Sequence, residues 1–289
     1  MATYSTVRSL QHWGENALST TSTNHATASQ AAALLLMHVL SYDTYSDLVL
    51  HAHARVPYAK EIKYKTLLRR RGKGEPVQYI IGSVAFMDLE LKISKACLIP
   101  RPETELLVEH VLHYARTLNG PYNILDIGTG CGNIAIALAF YLKRVKIDAV
   151  DISNKALAIA RRNATHYQSG HVISFYHGVL FDAVPQKKRY TIIVSNPPYV
   201  TAEEVLTGQP ELQWEPRQAL IANEDGREII ERIITNAYPR LKTHGALFLE
   251  IGHTHGKHVK ASLKKRGYKN VNILKDLSNQ DRIAYGFKE

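Results

Sequence analysis

Cysteine is scarce in this sequence, which holds only Cys97 and Cys131 among its 289 residues. A disulfide framework needs several cysteines at short spacings, and a cysteine-based zinc site needs three or four converging ligands. The count argues against both kinds of site. We therefore expect a cytoplasmic protein with reduced thiols and no bound metal ion.

Long apolar runs are also absent. A membrane-spanning helix needs roughly 18 consecutive apolar residues, whereas the two most apolar segments, residues 31–40 and 134–142, are shorter and flanked by polar residues. Residues 1–5 carry no basic segment that leads into an apolar one, so we expect no secretory signal. The chain is predicted to be globular, without a membrane partner.

Acidic residues are fewer than basic ones. The 26 Asp and Glu residues against 36 Lys and Arg give a formal net charge of +10. A basic surface attracts acidic partners. Nucleic acid, the ribosome and an acidic protein all remain candidate partners on charge alone.

The first 75 residues or so are predicted to be helical. Strong helix formers with few breakers occupy residues 28–40, 46–54 and 59–70. Thr27 is the expected N-cap of the first of these helices, and Gly72 lies where the last should end. Residues 84–93 then alternate in the two-residue period of a half-buried strand, which favours a short hairpin.

Beyond residue 100, short apolar runs alternate with helical segments. The runs are residues 123–127, 145–150, 172–175, 190–194 and 246–250, and helices are expected to begin at Pro102 and near Asn133, Ser153 and Gly226. This alternation is typical of an α/β fold, in which helices cover both faces of a parallel sheet. Residues 271–287 lack a crossover helix and are expected to close the sheet as an antiparallel pair.

A glycine-rich turn, Gly128-Thr129-Gly130-Cys131-Gly132, follows the first apolar run. Glycines allow a tight turn and the close approach of a ligand. A dinucleotide fingerprint would need glycine at Asn133, and the Gly-Lys-Ser/Thr of a phosphate-binding loop is missing. The carboxylate of Asp126 suits a ligand with a cationic amino-acid end better than a pyrophosphate.

Asp151 ends the second apolar run. An acid at this strand end can accept hydrogen bonds from ribose hydroxyls. The structural alternative is an ordinary turn with an incidental aspartate. Together with the glycine-rich turn, Asp151 predicts an adenosyl cofactor.

The tetrapeptide Asn196-Pro197-Pro198-Tyr199 follows the fourth run. Two prolines end a strand, so Asn196 should lie at the carboxyl edge of the sheet, where ligands bind. The Asn196 side-chain oxygen and the Pro197 carbonyl are two acceptors suited to a planar NH2 group. They would favour a pyramidal nitrogen whose lone pair faces a sulfonium methyl, with Tyr199 stacked on the target. A rigid turn is the alternative interpretation.

These motifs resemble the HemK/PrmC family, the protein-(glutamine-N5) methyltransferases that act on peptide chain release factors. The resemblance covers nearly the whole chain. It includes Glu75-Pro-Val-Gln-Tyr-Ile-Ile-Gly82, Leu98-Ile-Pro-Arg101-Pro-Glu103-Thr-Glu105, the glycine-rich turn, Asp151, the tetrapeptide, Glu215-Pro and Asp281-Arg-Ile. The combination of the second of these segments with the tetrapeptide is specific, because the tetrapeptide alone also occurs in DNA adenine-N6 enzymes.

The resemblance implies an α/β Rossmann-like, seven-stranded class I methyltransferase domain over residues 98–289. A small all-α substrate-docking domain over residues 1–82 and a β-hairpin linker over residues 83–97 would precede it. The substrate would be the glutamine of the Gly-Gly-Gln loop of a class I release factor, with no need for direct binding of nucleic acid.

The resemblance also implies site residues. S-adenosylmethionine would be held by Asp126, Gly128, Thr129, Gly130, Cys131, Gly132, Asp151 and Asn196, with Leu180 or Phe181 against the adenine. The glutamine would be bound by Asn196, Pro197, Pro198, Tyr199 and Arg101, of which Asn196, Pro197 and Tyr199 would be catalytic.

Two rival functions remain. A DNA or RNA adenine-N6 methyltransferase fits the tetrapeptide and the positive charge, but a base-flipping enzyme also needs a surface that grips the strand. The predicted helical module has few aromatic residues in a basic context, which suits a protein partner better. A non-catalytic binding module would predict a broken cofactor turn or tetrapeptide, and both are intact.

Two other segments bear on the site. His253, His255 and His258 have spacing that resembles a metal site, but we interpret them as part of a turn after the strand that ends at Glu250. Residues 201–217 are polar and include Trp214. Because long loops in compact domains are often functional, we predict a mobile lid that faces the substrate.

Overall fold

The computed structural model describes residues 5–19, 25–118, 120–208, 210–222 and 226–289. The chain divides into two compact units, Met1–Gly82 and Ser83–Glu289. In the described residues, no helix is both long enough and apolar enough to cross a membrane.

The first unit is helical, as predicted. Its helices are α1 (Val7–Ser19), α2 (His25–Leu40), α3 (Tyr45–Leu50), α4 (Tyr58–Gly72) and α5 (Val77–Ile81). Apolar side chains of α2, such as Leu35 and Leu36, are fully buried in its core. The Tyr64 hydroxyl of α4 donates to the Ala32 carbonyl of α2 at 3.1 Å. The N-cap predicted at Thr27 is wrong, because α2 begins two residues earlier.

The second unit holds a hairpin and a seven-stranded sheet in the described residues. The strands are β1 (Ser83–Phe86) and β2 (Leu89–Lys92) of the hairpin, then β3 (Tyr122–Ile127), β4 (Val145–Asp151), β5 (Ile173–His177), β6 (Tyr190–Ser195), β7 (Leu241–Glu250), β8 (Lys269–Lys275) and β9 (Asp281–Phe287). The order is β5-β4-β3-β6-β7-β9-β8, with β9 antiparallel to both of its neighbours. The predicted α/β fold, including the antiparallel closing pair, is confirmed.

The second unit also has helices in its described residues, and several of them flank the sheet. They are α6 (Pro102–Thr117), α7 (Asn133–Tyr141), α8 (Asn154–His166), α9 (Ala202–Thr207), α10 (Arg217–Leu220), α11 (Glu228–Arg240) and α12 (Gly256–Arg266). α12 was not predicted: the turn expected around the histidines ends at His255, and His258 lies in the helix. The polar segment predicted as a lid contains α9 and a 3₁₀ turn, Pro210–Trp214.

The hairpin is fastened to the helices of the second unit by side-chain hydrogen bonds. Asn163 of α8 is buried; its Oδ1 accepts from the Lys92 backbone N–H at 2.9 Å, and its Nδ2 donates to the Lys92 carbonyl at 2.9 Å. Nδ2 also donates to the carbonyl of Cys131 at 2.9 Å. One asparagine therefore joins the hairpin, α8 and the glycine-rich turn.

We expect Asn163→Ala to lower the free energy of unfolding by about 2–3 kcal/mol, because three hydrogen bonds are lost around a buried side chain. Denaturant unfolding measures the change, and amide hydrogen exchange should show faster exchange at Lys92. Asn236→Ala removes an exposed asparagine whose side chain, among the described residues, bonds within its own helix, and it should change stability by no more than about 0.5 kcal/mol. Equal losses in both variants would contradict this role.

Candidate functional site

A cavity of about 260 Å³ opens at the carboxyl ends of β3, β4 and β6. Parallel pairing places Ile127 opposite both Val150 and Ser195, so the residues that follow these strands meet at one edge. The sequence-predicted residues that line the cavity are Gly128, Gly130, Asp151, Leu180, Asn196, Pro197 and Pro198. Cys97, Leu98, Ser153, Gly178 and Ile229 also line it and were not predicted as site residues.

The glycine-rich turn has a left-handed backbone conformation that residues with side chains rarely adopt. Gly128, Gly130 and Gly132 have φ values of +75°, +57° and +88°. A Cβ on Gly132 would lie 2.8 Å from Ile136 of α7, whereas one on Gly130 would meet nothing within 4 Å. Gly132 therefore allows close helix packing, and Gly130 borders open space that a ligand can enter.

Asp151 connects the turn to the next strand. Its Oδ2 accepts from the Gly130 N–H at 2.8 Å, and its Oδ1 accepts from the Ser153 N–H at 2.8 Å. Burial raises the pKa of Asp151, while the two backbone donors lower it. Each oxygen keeps a second lone pair, and the side chain borders the cavity.

Asp126 lies behind the turn and does not line the cavity. It is fully buried; its Oδ2 accepts from the Thr129 hydroxyl at 2.6 Å, and its Oδ1 has no partner in the described residues. Burial, and to a smaller degree the negative charge of Asp151, raises the pKa of Asp126 to about 7. A buried carboxyl behind the turn favours a positive charge nearby.

Several predicted residues lie away from the cavity wall. Thr129 and Cys131 are buried in the turn. Phe181 is 5% exposed and packs in the core of the second unit, whereas its neighbour Leu180 faces the cavity. The aromatic ring predicted as an alternative to Leu180 is therefore turned into the core.

The tetrapeptide follows β6, and its side chains enter a hydrogen-bond network. Asn196 Nδ2 donates to Thr104 Oγ1 at 3.0 Å, and that hydroxyl donates to Glu250 Oε2 at 2.7 Å. The Tyr199 hydroxyl donates to Glu250 Oε1 at 3.0 Å and accepts from Arg282 Nη1 at 3.3 Å. Burial raises the pKa of both Tyr199 and Glu250. The Tyr199 hydroxyl thus contacts Glu250, and Tyr199 does not line the cavity.

Thr104 and Glu250 were not predicted as site residues. Glu250 ends an apolar parallel strand, as Asp151 does, and this shared position is the signal that could have identified it. Thr104 lies within a motif that the family resemblance includes. Its partners are 92 and 146 residues away in sequence. The register of β6 with β7 and the packing of α6 against β7 bring the three residues together.

Arg101 pairs with the buried Glu215 through its Nη2 and the Oε1 of the acid, and the Ile99 N–H donates to Glu215 Oε2 at 3.0 Å. Burial raises the pKa of Glu215, and the positive charge of Arg101 offsets part of that rise. Nearby, Lys95 lies 4.3 Å over the ring of Trp214. Arg101 does not line the cavity but ties the segment before α6 to the segment that includes Trp214.

The histidines near α12 do not converge. His258 pairs with Glu231 of α11 at 2.7 Å. Across the part of the chain that the structure describes, no group of three or more His, Cys, Asp or Glu residues is arranged to hold a metal ion.

Comparison with known proteins identifies both units. Residues 9–82 match the family model of the PrmC N-terminal domain, and residues 102–210 match that of the methyltransferase small domain. A release factor glutamine methyltransferase of Pasteurella multocida is 41% identical over 234 residues, which cover 76% of this chain and 78% of the relative. The enzyme of the same name from Bordetella pertussis is 36% identical and covers 89% of this chain and 93% of the relative.

The similarity of this chain to solved structures extends to the fold alone. A methyltransferase from Pyrococcus furiosus superimposes with a TM-score of 0.51 at 19% identity, over 71% of this chain and 91% of that one. The catalytic domain of hMettl16, solved with an MAT2A 3'UTR hairpin, gives a TM-score of 0.56 at 17% identity, over 88% and 90% of the two chains. With curated relatives this similar over this much of its length, the chain belongs to the release factor glutamine methyltransferase family.

Proposed function

We propose that this protein transfers the methyl group of S-adenosylmethionine to the side-chain amide nitrogen, N5, of the glutamine in the Gly-Gly-Gln loop of class I release factors. The observation that carries the proposal is that the tetrapeptide and the glycine-rich turn line one cavity. A cofactor turn and an acceptor for an NH2 group are then adjacent. The names of the curated relatives support glutamine as the substrate.

The residues around the cavity fit the cofactor. Asp151 offers free lone pairs to ribose hydroxyls, and the open space beside Gly130 admits the ligand next to the backbone. The buried carboxyl of Asp126 favours the cationic amino-acid end of the cofactor. Asp126 also accepts from the Thr129 hydroxyl and so holds the turn beside that end. Leu180 supplies the apolar wall for the adenine, with Phe181 packed in the core beside it. Cys131 and Gly132 shape the backbone.

The chemistry requires a nitrogen that can attack. Bound S-adenosylmethionine supplies an electrophilic methyl group on a sulfonium. Asn196 Oδ1 and the Pro197 carbonyl oxygen receive no donor from the described residues. They are therefore available to the two N–H groups of the glutamine amide, and they stabilise the positive charge that develops on its nitrogen. The nitrogen then releases a proton to solvent, which needs no strong base.

Residues 1–82 are proposed as the substrate-docking domain, followed by the hairpin and the catalytic domain. The match to the PrmC N-terminal domain supports this division. Apolar side chains of this unit are exposed, among them Val49, Leu50 and Tyr58.

The proposed substrate can be tested with labelled S-adenosylmethionine. We expect a purified class I release factor to gain one label, and the same factor with its loop glutamine changed to alanine to gain none. DNA and RNA serve as rival substrates in parallel reactions. Label found only in nucleic acid would favour an adenine-N6 enzyme and overturn the proposal.

Asn196→Ala should lower kcat by about 100-fold or more, because an acceptor for the reacting NH2 group is lost. Cofactor binding measured by calorimetry should persist.

Asp151→Ala should weaken cofactor binding by at least about tenfold through the loss of charge-assisted hydrogen bonds. Asp43→Ala, an exposed acid in the first unit, should change neither quantity. Wild-type cofactor affinity in the Asp151 variant would remove that residue from the site.

Asp126 should make stability depend on pH. Its pKa is about 7 in the folded protein against an ordinary value of 3.8. Between these values the folded state holds a proton that the unfolded chain has lost, so stability falls as pH rises, by up to about 1 kcal/mol per pH unit. The Asp126→Asn variant should lose less stability than the wild type in denaturant unfolding from pH 4 to 8, whereas Asp43→Asn should keep the full loss. Parallel curves of stability against pH for all three proteins would contradict a raised pKa of the buried Asp126 carboxyl.

A further inference from the structure

The side chain of Asn196 is held by a hydrogen-bond chain that ends on a buried carboxylate. Its Nδ2 lies 3.0 Å from Thr104 Oγ1, and that oxygen lies 2.7 Å from Glu250 Oε2. Thr104 is 0% exposed and Glu250 is 1% exposed. The sheet creates the arrangement, because Ser195 pairs with Leu249 and the next residues of the two strands are Asn196 and Glu250.

The hydrogen bonds from Asn196 through Thr104 to Glu250 all run in one direction, from donor to acceptor. A hydroxyl group has one proton, and an ionised carboxylate can only accept. The Thr104 proton must therefore face Glu250, and only its lone pairs face Asn196. A lone pair can bind the NH2 end of the asparagine amide but not its oxygen, so Oδ1 is turned away from Thr104.

The direction matters because the two ends of an asparagine amide have nearly the same shape and opposite hydrogen-bonding character. With Oδ1 presented, Asn196 accepts a hydrogen bond from an incoming NH2 group. With Nδ2 presented, a donor would meet a donor, and the glutamine amide would lose its acceptor. Asn196 is only partly buried, so packing alone does not select one orientation.

Glu250 is supported on its other side. Its Oε1 accepts from the Tyr199 hydroxyl, which in turn accepts from Arg282 Nη1. Arg282 belongs to β9, whose antiparallel pairing sets Ile283 opposite Glu250. Burial raises the pKa of Glu250, and the two hydroxyl donors and the positive charge of Arg282 offset part of that rise.

We infer that Thr104 and Glu250 are positioning residues that set the orientation of the Asn196 amide, so that its oxygen meets the NH2 group of the substrate. The inference rests on the proposed function for its substrate. Neither residue touches the reacting atoms; both act through Asn196.

The test removes the Thr104 hydroxyl and then restores it. Thr104→Val keeps the shape but cannot accept from Asn196; we expect kcat on the release factor to fall by about 10- to 100-fold, with the Kd for S-adenosylmethionine unchanged. Thr104→Ser restores the hydroxyl and should recover most of the lost rate. Thr117→Val makes the same change at the exposed end of the same helix and should have no effect. Thr104→Ala is a second hydroxyl-free variant if valine impairs folding.

A second readout needs no substrate. The Asn196 side-chain NH2 signals, assigned by their loss in Asn196→Ala, should exchange slowly with solvent in the wild type and in Thr104→Ser, and faster in Thr104→Val. A wild type that leaves release factors unmethylated would refute the proposed function while this comparison still tests the orientation. Thr104→Val with unchanged exchange, or with wild-type turnover, would overturn the positioning role.

Discussion

The parallel pairing of β3 with β4 and β6 is the constraint on which the site depends. It sets Ile127 beside Val150 and Ser195, so each chain segment leaves the sheet at the same edge. The glycine-rich turn, Asp151 and Asn196 are far apart in sequence, yet each follows one of these strands directly. A one-residue shift in register would turn alternate side chains to the opposite face and separate the cofactor turn from the tetrapeptide.

Three buried carboxylates of the second unit differ in how their charge is compensated. Glu215 has Arg101 and a backbone N–H, and Glu250 has two hydroxyls with Arg282 behind one of them. Asp126 has the Thr129 hydroxyl and, more weakly, the backbone N–H of Ala135, neither of which is a cation, and its pKa is raised to about 7. The compensated acids fix the positions of Arg101, Thr104 and Tyr199. Among the described residues, Asp126 is the acid of the three without a neighbouring cation, so a cationic ligand would stabilise its charge.

Local patterns predicted the elements better than they predicted the contacts. Apolar runs located the strands, and the glycine spacing located the turn, because both follow from backbone conformation and burial. Helix α12 was missed although Val259 and Leu263 are buried on one face, since its histidines and lysines resembled a polar turn. The Thr104–Glu250 contact depends on the packing of α6 against β7, which are distant in sequence. The choice between Leu180 and Phe181 depends on the left-handed φ of +48° at Leu180, which no periodicity encodes.

The tetrapeptide specifies the chemistry of an NH2 nitrogen, and both a glutamine amide and an adenine base carry such a group. The difference must therefore lie in what surrounds the cavity. A nucleic-acid enzyme uses free cations near the site to bind phosphates. Arg101 is instead engaged by the buried Glu215, and Lys95 lies on the Trp214 ring. Arg232, on the cavity wall, lies 3.9 Å from Glu228 of its own helix. Because each of these cations lies beside an acid or an aromatic ring, the surroundings of the cavity favour a neutral peptide loop over a phosphate backbone as the substrate.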